Sequence, residues 1–454
     1  MNSAKSVSSL KRASKQARAF AVLAITLSAA LAGAHSSQAS ASQAQFGLSP
    51  DNNQKLLFST FDSARNLLRI NMYEFKNPDI ADALISRIQA GVTLQLLIES
   101  QPVFGMSTEG KEILGRIHRA MKASGNAKHR LFILSGVKSG PTKNRRWAYD
   151  HAKYVIVDTA RVQISSENFN PSGHPAPGKV GNRGWDVVLQ DSVLIQKMSQ
   201  MFQNDTASRN ADIVTVTPSG QLPFPTSATA RIGNGGLDNR TANSINIGSG
   251  EITHTSLITS PASMPSLQKL MRSANQTLDI EQMSLPLSWK SDSVNPSPWV
   301  IELIQAARRG VHVRVLLNDE RVWGKASDDG EEATHNELTI QYLRQMSKCY
   351  KLPISGKVVD VDAAQISYIH NKGMIVDGRR VLISSINGTE NSMGNNREVA
   401  VVVEGTSAGN YFTNAFNQDW NHSGNALSGS PQPAGCPPQD GTLGNVQSWS
   451  GAAR

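Results

Sequence analysis

Two segments of this 454-residue chain carry the same three polar residue types at the same spacing. These residues are His151, Lys153 and Asn168 in the first segment, and His370, Lys372 and Asn387 in the second. Residues two apart in a β-strand face the same side, so each segment places an imidazole beside an ammonium group. Each asparagine ends the strand that follows, and a hairpin would return it to the same place.

Imidazole, ammonium and amide groups together suit a phosphate diester, whose oxygens need cations and hydrogen-bond donors. Hydrolysis through a covalent intermediate needs one group that attacks phosphorus. It needs a second group that protonates the leaving oxygen and later activates water. A lone histidine in a strand is commonly structural. Two copies joined face to face, however, would supply one histidine for each role, so the repeated set predicts an active site.

The repetition extends far beyond these residues. The offset is 219 residues between Gly91 and Gly310, and again between His151 and His370. Three blocks recur in the same order, 62–75 with 272–285, 80–100 with 299–319, and 150–169 with 369–388. Two such large units are too few for a solenoid. The chain therefore contains two copies of one folding unit.

Each copy has an alternating pattern of predicted elements. In the first copy, "LLRINMYEF" predicts a strand, and "PDIADALISRIQAG" has the apolar spacing of a helix with Asn77 or Asp79 near its cap. "VTLQLLIES" predicts another strand, and "AKYVIVD" with "RVQISS" predicts a hairpin. In the second copy, Asp377-Gly378 is a hairpin signal. This order predicts an α/β unit with a mostly buried sheet.

The predicted organisation has five segments. The start of the chain has five basic residues, an apolar run from Ala19 to Leu31 and small-residue cleavage patterns, as in a signal peptide. We therefore expect an exported protein, secreted or periplasmic. The segments are a signal peptide at 1–39 cleaved near 34 or 39, a first half at 45–210, a linker or long loop at 211–255, a second half at 256–423, and a poorly ordered tail at 424–454.

Charge and cysteine content add weaker expectations. Loss of the five basic residues of the leader lowers the formal charge from +9 to +4, which is mildly basic and does not indicate a dedicated nucleic-acid coat. Cys349 and Cys436 are the two cysteines. Export would permit a disulfide between them, and two unpaired thiols are an equal alternative.

The doubled pattern resembles the phospholipase D superfamily, whose motif is His-x-Lys-x4-Asp-x6-Gly-Ser-x-Asn. The resemblance covers nearly all of the chain after the leader. Ser165 and Ser384 depart from it, because they stand where the family usually has glycine. The motif residues are His151, Lys153, Asp158, Ser166 and Asn168 in the first copy and His370, Lys372, Asp377, Ser385 and Asn387 in the second.

The resemblance implies an α/β fold of two similar phospholipase D-like α-β-α sandwich halves, packed as a pseudo-dimer with the active site between them. It implies His151 as the nucleophile that forms a phosphohistidine and His370 as general acid and base. The lysines, the asparagines, Ser166 and Ser385 would hold the phosphate. Asp158 and Asp377 are the motif acids, and we expect them to tie the hairpins. The resemblance implies no metal and no other cofactor.

A carboxylate further along the chain usually orients each histidine in this family. Asp186 in "NRGWDVVL" and Glu398 in "NNREVAVVV" occupy the matching places. The alternative for both is an ordinary carboxylate in a strand.

The substrate is open at this level. Export favours a phospholipid at a membrane surface, hydrolysed to phosphatidate with possible transfer to alcohols. The alternative is extracellular nucleic acid cut by a metal-independent nuclease, and a non-catalytic binding protein is the third hypothesis. The segment "KNRRWAYD" before His151 carries aromatic rings for a choline group or basic groups for a nucleic-acid backbone. No obligate protein partner is evident.

Overall fold

The computed structural model describes six stretches of the chain. They are residues 42–140, 142–226, 245–290, 296–323, 333–424 and 435–438. The predicted signal peptide lies outside these residues, as does most of the predicted tail. Among the described residues, no helix is long and apolar enough to cross a membrane.

In the part of the chain that the structure describes, the first half contains nine strands and four helices. The strands are β1 Ser42–Ser49, β2 Leu67–Met72, β3 Thr93–Glu99, β4 Arg130–Leu134, β5 Tyr154–Val157, β6 Arg161–Ser165, β7 Gly184–Leu189, β8 Ile213–Val216 and β9 Gly248–Ile252. The helices are α1 Asn53–Asp62, α2 Pro78–Gln89, α3 Thr108–Ala123 and α4 Ser192–Asp205. The strands form one sheet in the order β8-β4-β3-β2-β5-β6-β7-β1-β9.

The second half contains seven strands and five helices in the described residues. The strands are β10 His254–Ser260, β11 Thr277–Gln282, β12 His312–Leu317, β13 Ile354–Val358, β14 Lys372–Val376, β15 Arg380–Ser384 and β16 Glu398–Glu404. The helices are α5 Met264–Arg272, α6 Pro298–Arg308, α7 His335–Tyr350, α8 Glu390–Gly394 and α9 Thr406–His422. The sheet order is β10-β16-β15-β14-β11-β12-β13. Seven strands therefore correspond in order between the halves, which confirms the duplicated α/β fold.

Three apolar cores alternate with the two sheets. Side chains alternate between the faces of a strand, so Val155 and Val157 enter a core with α1, α2 and α3, whereas Tyr154 and Ile156 enter a central core. The second sheet likewise separates a core with α5, α6 and α7 from the same central core. The central core contains residues of both halves, including α4 and α9. The halves therefore pack as a pseudo-dimer around shared apolar contacts.

Local signals in the sequence set the element boundaries. The Asn77 side chain accepts hydrogen bonds from the N–H groups of Asp79 and Ile80, so it caps α2, and Gly91 has a φ of 91° just after the helix ends. The β5–β6 and β14–β15 hairpins turn at Asp158 and Asp377, both left-handed with φ of 51° and 53°. The predicted caps and hairpins are thus present.

The range 211–255, predicted as a linker or long loop, contains two strands. β8 pairs antiparallel with β4, and β9 pairs antiparallel with β1, so both extend the first sheet. β9 is rich in glycine and gives little strand signal, whereas the sequence of β8, Ile-Val-Thr-Val, is typical of a strand. Residues 227–244 of this range lie outside the described residues.

The two cysteines form a disulfide. Cys436, in the short described stretch 435–438, is bonded to Cys349 in α7. The bond attaches this part of the predicted tail to the second half.

Candidate active site

Each motif histidine is held by backbone pairing with an arginine of the opposite half. The N–H of His151 donates to the carbonyl of Arg397 at 2.8 Å, and the N–H of His370 donates to the carbonyl of Arg183 at 2.9 Å. Both contacts lie beside isolated bridges between the halves. The pairing brings the two histidine strands to one place at the interface.

Buried ion pairs fix these two arginines. Arg183 donates to Asp419 at 2.6 Å and to Asp51 at 2.8 Å, and Arg397 donates to Asp205 at 2.9 Å. Burial alone would lower the pKa of Arg183, but the two aspartates outweigh it and raise that pKa. The frame around the histidines is therefore rigid and charge-balanced.

A carboxylate from the opposite half contacts each histidine. His151 Nδ1 lies 2.8 Å from Glu398, and His370 Nδ1 lies 3.1 Å from Glu167. A carboxylate accepts a hydrogen bond, so Nδ1 of each ring carries the hydrogen. The second nitrogen, Nε2, is then left for chemistry.

Asp186 does not contact a histidine as predicted. It is buried, it accepts a hydrogen bond from the Gln163 side chain at 3.0 Å, and burial raises its pKa to about 7. The carboxylate of the first half that contacts a histidine is Glu167. The signal in the sequence was a glutamate at a buried position where the second copy has Ile386.

The two lysines lie buried behind the histidines in matching positions. Lys153 Nζ donates to the His151 carbonyl at 2.7 Å, and Lys372 Nζ donates to the His370 carbonyl. Burial lowers the pKa of Lys153 to about 8 and places that of Lys372 well below its usual value. Both ammonium groups are poorly solvated, so a phosphate anion between them would be strongly attracted.

The two motif asparagines have side-chain atoms without a hydrogen-bond partner among the described residues. Asn168 is 7% exposed, and the side-chain oxygens of Asn168 and Asn387 have no hydrogen-bond partner among the described residues. An amide oxygen only accepts hydrogen bonds, so the Nδ2 groups of these asparagines would be the donors to a phosphate oxygen. They remain our predicted phosphate-binding residues.

Ser166 and Ser385, also predicted to bind phosphate, contact the neighbouring strands. Both are fully buried, and each hydroxyl accepts the N–H of a neighbouring strand, from Trp185 and Val399, both at 3.0 Å. Ser385 also donates to Glu398 at 2.6 Å. These serines fix the strands that end at the site.

The motif acids lie in the hairpins and not with the histidines. Asp158 accepts the backbone N–H groups of residues 65–67, and Asp377 accepts those of residues 275–277. Burial alone would raise the pKa of Asp377, but these N–H groups outweigh it and lower that pKa. Both acids therefore tie a hairpin to the start of β2 or β11.

The segment 143–150 offers few free basic groups. Arg145 is fully buried in an ion pair with Glu99 at 2.5 Å, and Arg146 donates to Asp212 at 2.9 Å. The guanidinium of Arg146 covers the ring of Trp147 at 4.2 Å. Because these arginines form ion pairs within the protein, they are less available to bind a nucleic-acid backbone, as the alternative hypothesis for this segment requires.

The charges around the two histidines differ. Burial lowers the pKa of both, and it lowers that of His370 further, with Lys372 and Lys153 adding to the effect. Glu398 is ionised beside His151, because the imidazole outweighs burial and lowers its pKa. The proton shared by the pair is therefore favoured on His151.

Comparisons with known proteins agree with this arrangement. A family model described as "Cardiolipin synthase, PLD-like domain" matches residues 57–206 and 267–420. The phosphatidylserine synthase of Haemophilus influenzae Rd KW20 superposes with a TM-score of 0.57 at 12% identity, over 85% of this chain and 89% of that chain. That likeness shows a shared fold.

A smaller structure matches one half of the chain. It is Nuc from Salmonella typhimurium, a phospholipase D family member, with a TM-score of 0.29 and 21% identity over 38% of this chain and 99% of that one. A search among curated protein sequences gives no match.

Proposed function

The chain belongs to the phospholipase D-like family described as the cardiolipin synthase domain, and on that premise we propose that it hydrolyses glycerophospholipids to phosphatidate and a free head group. The observation that carries the proposal is the doubled site. Two histidines, each with a carboxylate on Nδ1, lie beside two buried lysines and two uncommitted asparagines. This set supplies every group that a covalent phosphodiester mechanism needs.

The reaction has two displacements at phosphorus. In the first, the Nε2 lone pair of one histidine forms a bond to phosphorus while the bond to the head-group oxygen breaks. The other histidine, protonated on Nε2, gives its proton to that leaving oxygen. In the second, the same histidine removes a proton from water, whose oxygen attacks phosphorus as the phosphorus–nitrogen bond breaks. An alcohol in place of water would yield a phosphatidyl alcohol.

The charges favour His370 as the nucleophile and His151 as the acid. Attack needs a neutral imidazole, and burial with two nearby lysines keeps His370 neutral. Donation needs a protonated imidazole, and the Glu398 carboxylate on Nδ1 opposes the burial that lowers the pKa of His151, so protonation costs less at His151 than at His370. This assignment reverses the roles that the family resemblance implies.

Exposed apolar side chains near the site support a membrane-surface substrate. Phe104 is 99% exposed and Val103 51% exposed, in the loop between β3 and α3, and Val137 is exposed in the loop after β4. We call these three residues the apolar rim. Isolated apolar residues on a surface are ordinary, but a fully exposed phenylalanine beside a site fits insertion into lipid.

Hydrogen bonds connect the apolar rim to the site. The N–H of Val103 donates to the Tyr73 hydroxyl at 2.6 Å, and the Tyr73 ring lies 4.7 Å from the His151 ring. Lys138 Nζ donates to the Gln101 carbonyl at 2.5 Å, which joins the two loops. A lipid held by the apolar rim would thus present its phosphate near His151.

The test measures turnover by the purified protein in EDTA, with phosphatidylcholine vesicles and single-stranded DNA in parallel. We expect release of choline and phosphatidate without DNA cleavage, and loss of release in His151→Ala and His370→Ala. Cleavage of DNA alone would replace the lipid proposal with the nuclease alternative. Activity that appears only after metal is added would overturn the phosphohistidine mechanism. Unchanged function in both variants would indicate a binding protein.

We also propose that the protein is exported. The basic and apolar start of the chain supports this, and so does the Cys349–Cys436 disulfide, because such bonds persist in oxidising compartments. Cell fractionation with N-terminal sequencing tests the proposal. A mature protein outside the cytoplasm that begins near residue 35 or 40 is expected, and an uncleaved cytoplasmic protein would contradict it.

A further inference from the structure

Strand pairing identifies which residues of the two halves are equivalent. In the first sheet, Gly184 at the start of β7 pairs with Ser49 at the end of β1. In the second sheet, Glu398 at the start of β16 pairs with Ser260 at the end of β10. Because β1 corresponds to β10 and β7 to β16, Gly184 is the counterpart of Glu398.

The strands on the other side of β7 and β16, which are β6 and β15, give the same equivalence. Ser165 of β6 pairs with Asp186, and Ser384 of β15 pairs with Ala400. Ser165 and Ser384 are equivalent by the 219-residue offset, so Asp186 corresponds to Ala400. Two positions earlier in each strand, Gly184 is therefore equivalent to Glu398. The first half therefore has glycine where the second half has its histidine-orienting carboxylate.

The space beside Gly184 is filled by the carboxylate of Glu167. A Cβ atom on Gly184 would lie 2.3 Å from Glu167 Oε1, too close for any side chain at both places. Glu167 comes from the end of the adjacent strand, and its counterpart in the second half is Ile386. The glutamate is therefore at different positions in the two halves. The first half has Glu167 and Gly184, whereas the second half has Ile386 and Glu398 at the equivalent positions.

In each half, an asparagine at the equivalent position donates a hydrogen bond to the carboxylate. Asn182 Nδ2 donates to Glu167 at 3.0 Å, and Asn396 Nδ2 donates to Glu398 at 2.9 Å. These asparagines precede Gly184 and Glu398 by two residues each, so they are equivalent. Two carboxylates that start from different positions therefore end in one environment, between an asparagine amide and a histidine Nδ1.

We propose that Glu167 is the positioning residue of His370, and that it replaces the carboxylate that the first half lacks at position 184. The inference rests on the proposed phosphohistidine mechanism. By accepting the Nδ1 hydrogen, Glu167 selects the tautomer of His370 with a lone pair on Nε2. When Nε2 bonds to phosphorus the ring becomes cationic, and the adjacent carboxylate stabilises that charge.

Exchanging the two positions is the sharpest test. Glu167→Ile removes the carboxylate and copies the second half, and we expect kcat to fall at least about 100-fold. Adding Gly184→Glu supplies a carboxylate in the place that Glu398 occupies, because Gly184 lies in a regular strand. The double variant should recover to within about tenfold of the wild type, while KM stays nearly constant because the lysines and asparagines are unchanged.

Rates are measured on bis(p-nitrophenyl) phosphate and on vesicles, with thermal unfolding as the folding check. A folded double variant that is no faster than Glu167→Ile overturns the proposal, as does Glu167→Ile within twofold of the wild type. If the double variant does not fold, the isosteric Glu167→Gln decides, since it must lose about tenfold or more in kcat. A wild type that turns over neither substrate would instead refute the proposed function.

Discussion

At the scale of single residues, the site is two similar histidine–carboxylate pairs in different electrostatic states. His151 contacts ionised Glu398, whereas burial raises the pKa of Glu167, the partner of His370, to about 7. The two histidines therefore need not act interchangeably, although their lysine and asparagine neighbours match. The motif supplies the same lysines to both histidines, so the difference arises from how deeply the groups are buried, which a motif does not encode.

The covalent intermediate should form on His370. We expect enzyme denatured at alkaline pH, where the phosphorus–nitrogen bond survives, during turnover of a lipid labelled on phosphorus, to carry the label in a peptide that contains His370. His151→Ala should increase the labelled fraction with an activated ester, because a good leaving group needs no acid while the second step still needs the base. Peptide mapping by mass spectrometry measures this. Label on His151 would restore the roles implied by the family.

The rate should fall in acid because of Glu167. Burial raises its pKa to about 7, although Lys372, His174 and Lys153 oppose the shift. Below this pH the carboxyl group takes up a proton and stops accepting the hydrogen of His370 Nδ1, so kcat/KM should decrease about tenfold per pH unit. Glu167→Gln should abolish this acid limb. A limb that persists unchanged in the variant would assign it to another group.

The contribution of Glu167 to stability should decrease as the pH rises, whereas its contribution to the rate should increase. The pKa of Glu167 is higher in the folded protein than in an unfolded chain, so the folded state binds more protons between about pH 4.5 and pH 7. The contribution of this carboxyl to the free energy of unfolding is greatest below that window and is lost as pH rises through it. Urea unfolding of the wild type and Glu167→Gln at several pH values compares the two slopes.

The residue spacing predicts the histidines, lysines and asparagines, because their repetition is visible along the chain. It does not predict Glu167. The motif leaves that position undefined, and its contact with His370 depends on how the two halves pack. Asp186 is predicted because it is the carboxylate of the matching strand, but strand pairing places it two residues after the position equivalent to Glu398.

At the scale of elements, regular strands and helices place the chemistry, and loops determine what reaches it. The predicted hairpins and the cap of α2 follow from local residue preferences. β9 could not be predicted, since its sequence is polar and glycine-rich and its pairing partner, β1, is distant in the chain, whereas the β-branched residues of β8 are a strand signal. The two loops that carry the apolar rim have no secondary-structure signal at all.

Removing the aromatic side chain of the apolar rim should separate surface binding from chemistry. We expect Phe104→Ser to lower activity on phosphatidylcholine vesicles about tenfold, because it removes about 1.5–3 kcal/mol of apolar transfer free energy. Activity on bis(p-nitrophenyl) phosphate should stay unchanged. Vesicle flotation and both assays measure the effect. Val193→Ser, at an exposed apolar residue of α4, is the matched control and should change neither.

At the scale of the whole molecule, the two halves share one core and should unfold together. Trp185 is fully buried, its ring lies 4.8 Å from Phe412, and a Cβ atom on Gly373 would lie 2.5 Å from the indole. The indole of one half thus fills a gap left by glycine in the other. The sequence predicts two halves, but this fit depends on their three-dimensional packing.

Trp185→Ala should lower the free energy of unfolding by about 3–5 kcal/mol and leave a single transition. Trp299→Ala, which removes a fully buried tryptophan from the second half's own core, is the control and should also give one transition. Urea denaturation followed by circular dichroism measures both. Two separate transitions in Trp185→Ala alone would show that the halves are independent folding units.

The crossing of the carboxylates also limits how such a chain can be recombined. His151 depends on Glu398 and His370 depends on Glu167, so each half carries the orienting group for the other half's histidine. In a chimaera that joins one half of this chain to the other half of a relative, each histidine needs a carboxylate from the opposite half. The relative's half must therefore carry its carboxylate at the position that reaches this histidine. The whole chain, and not either half, is therefore the unit that can be exchanged between relatives.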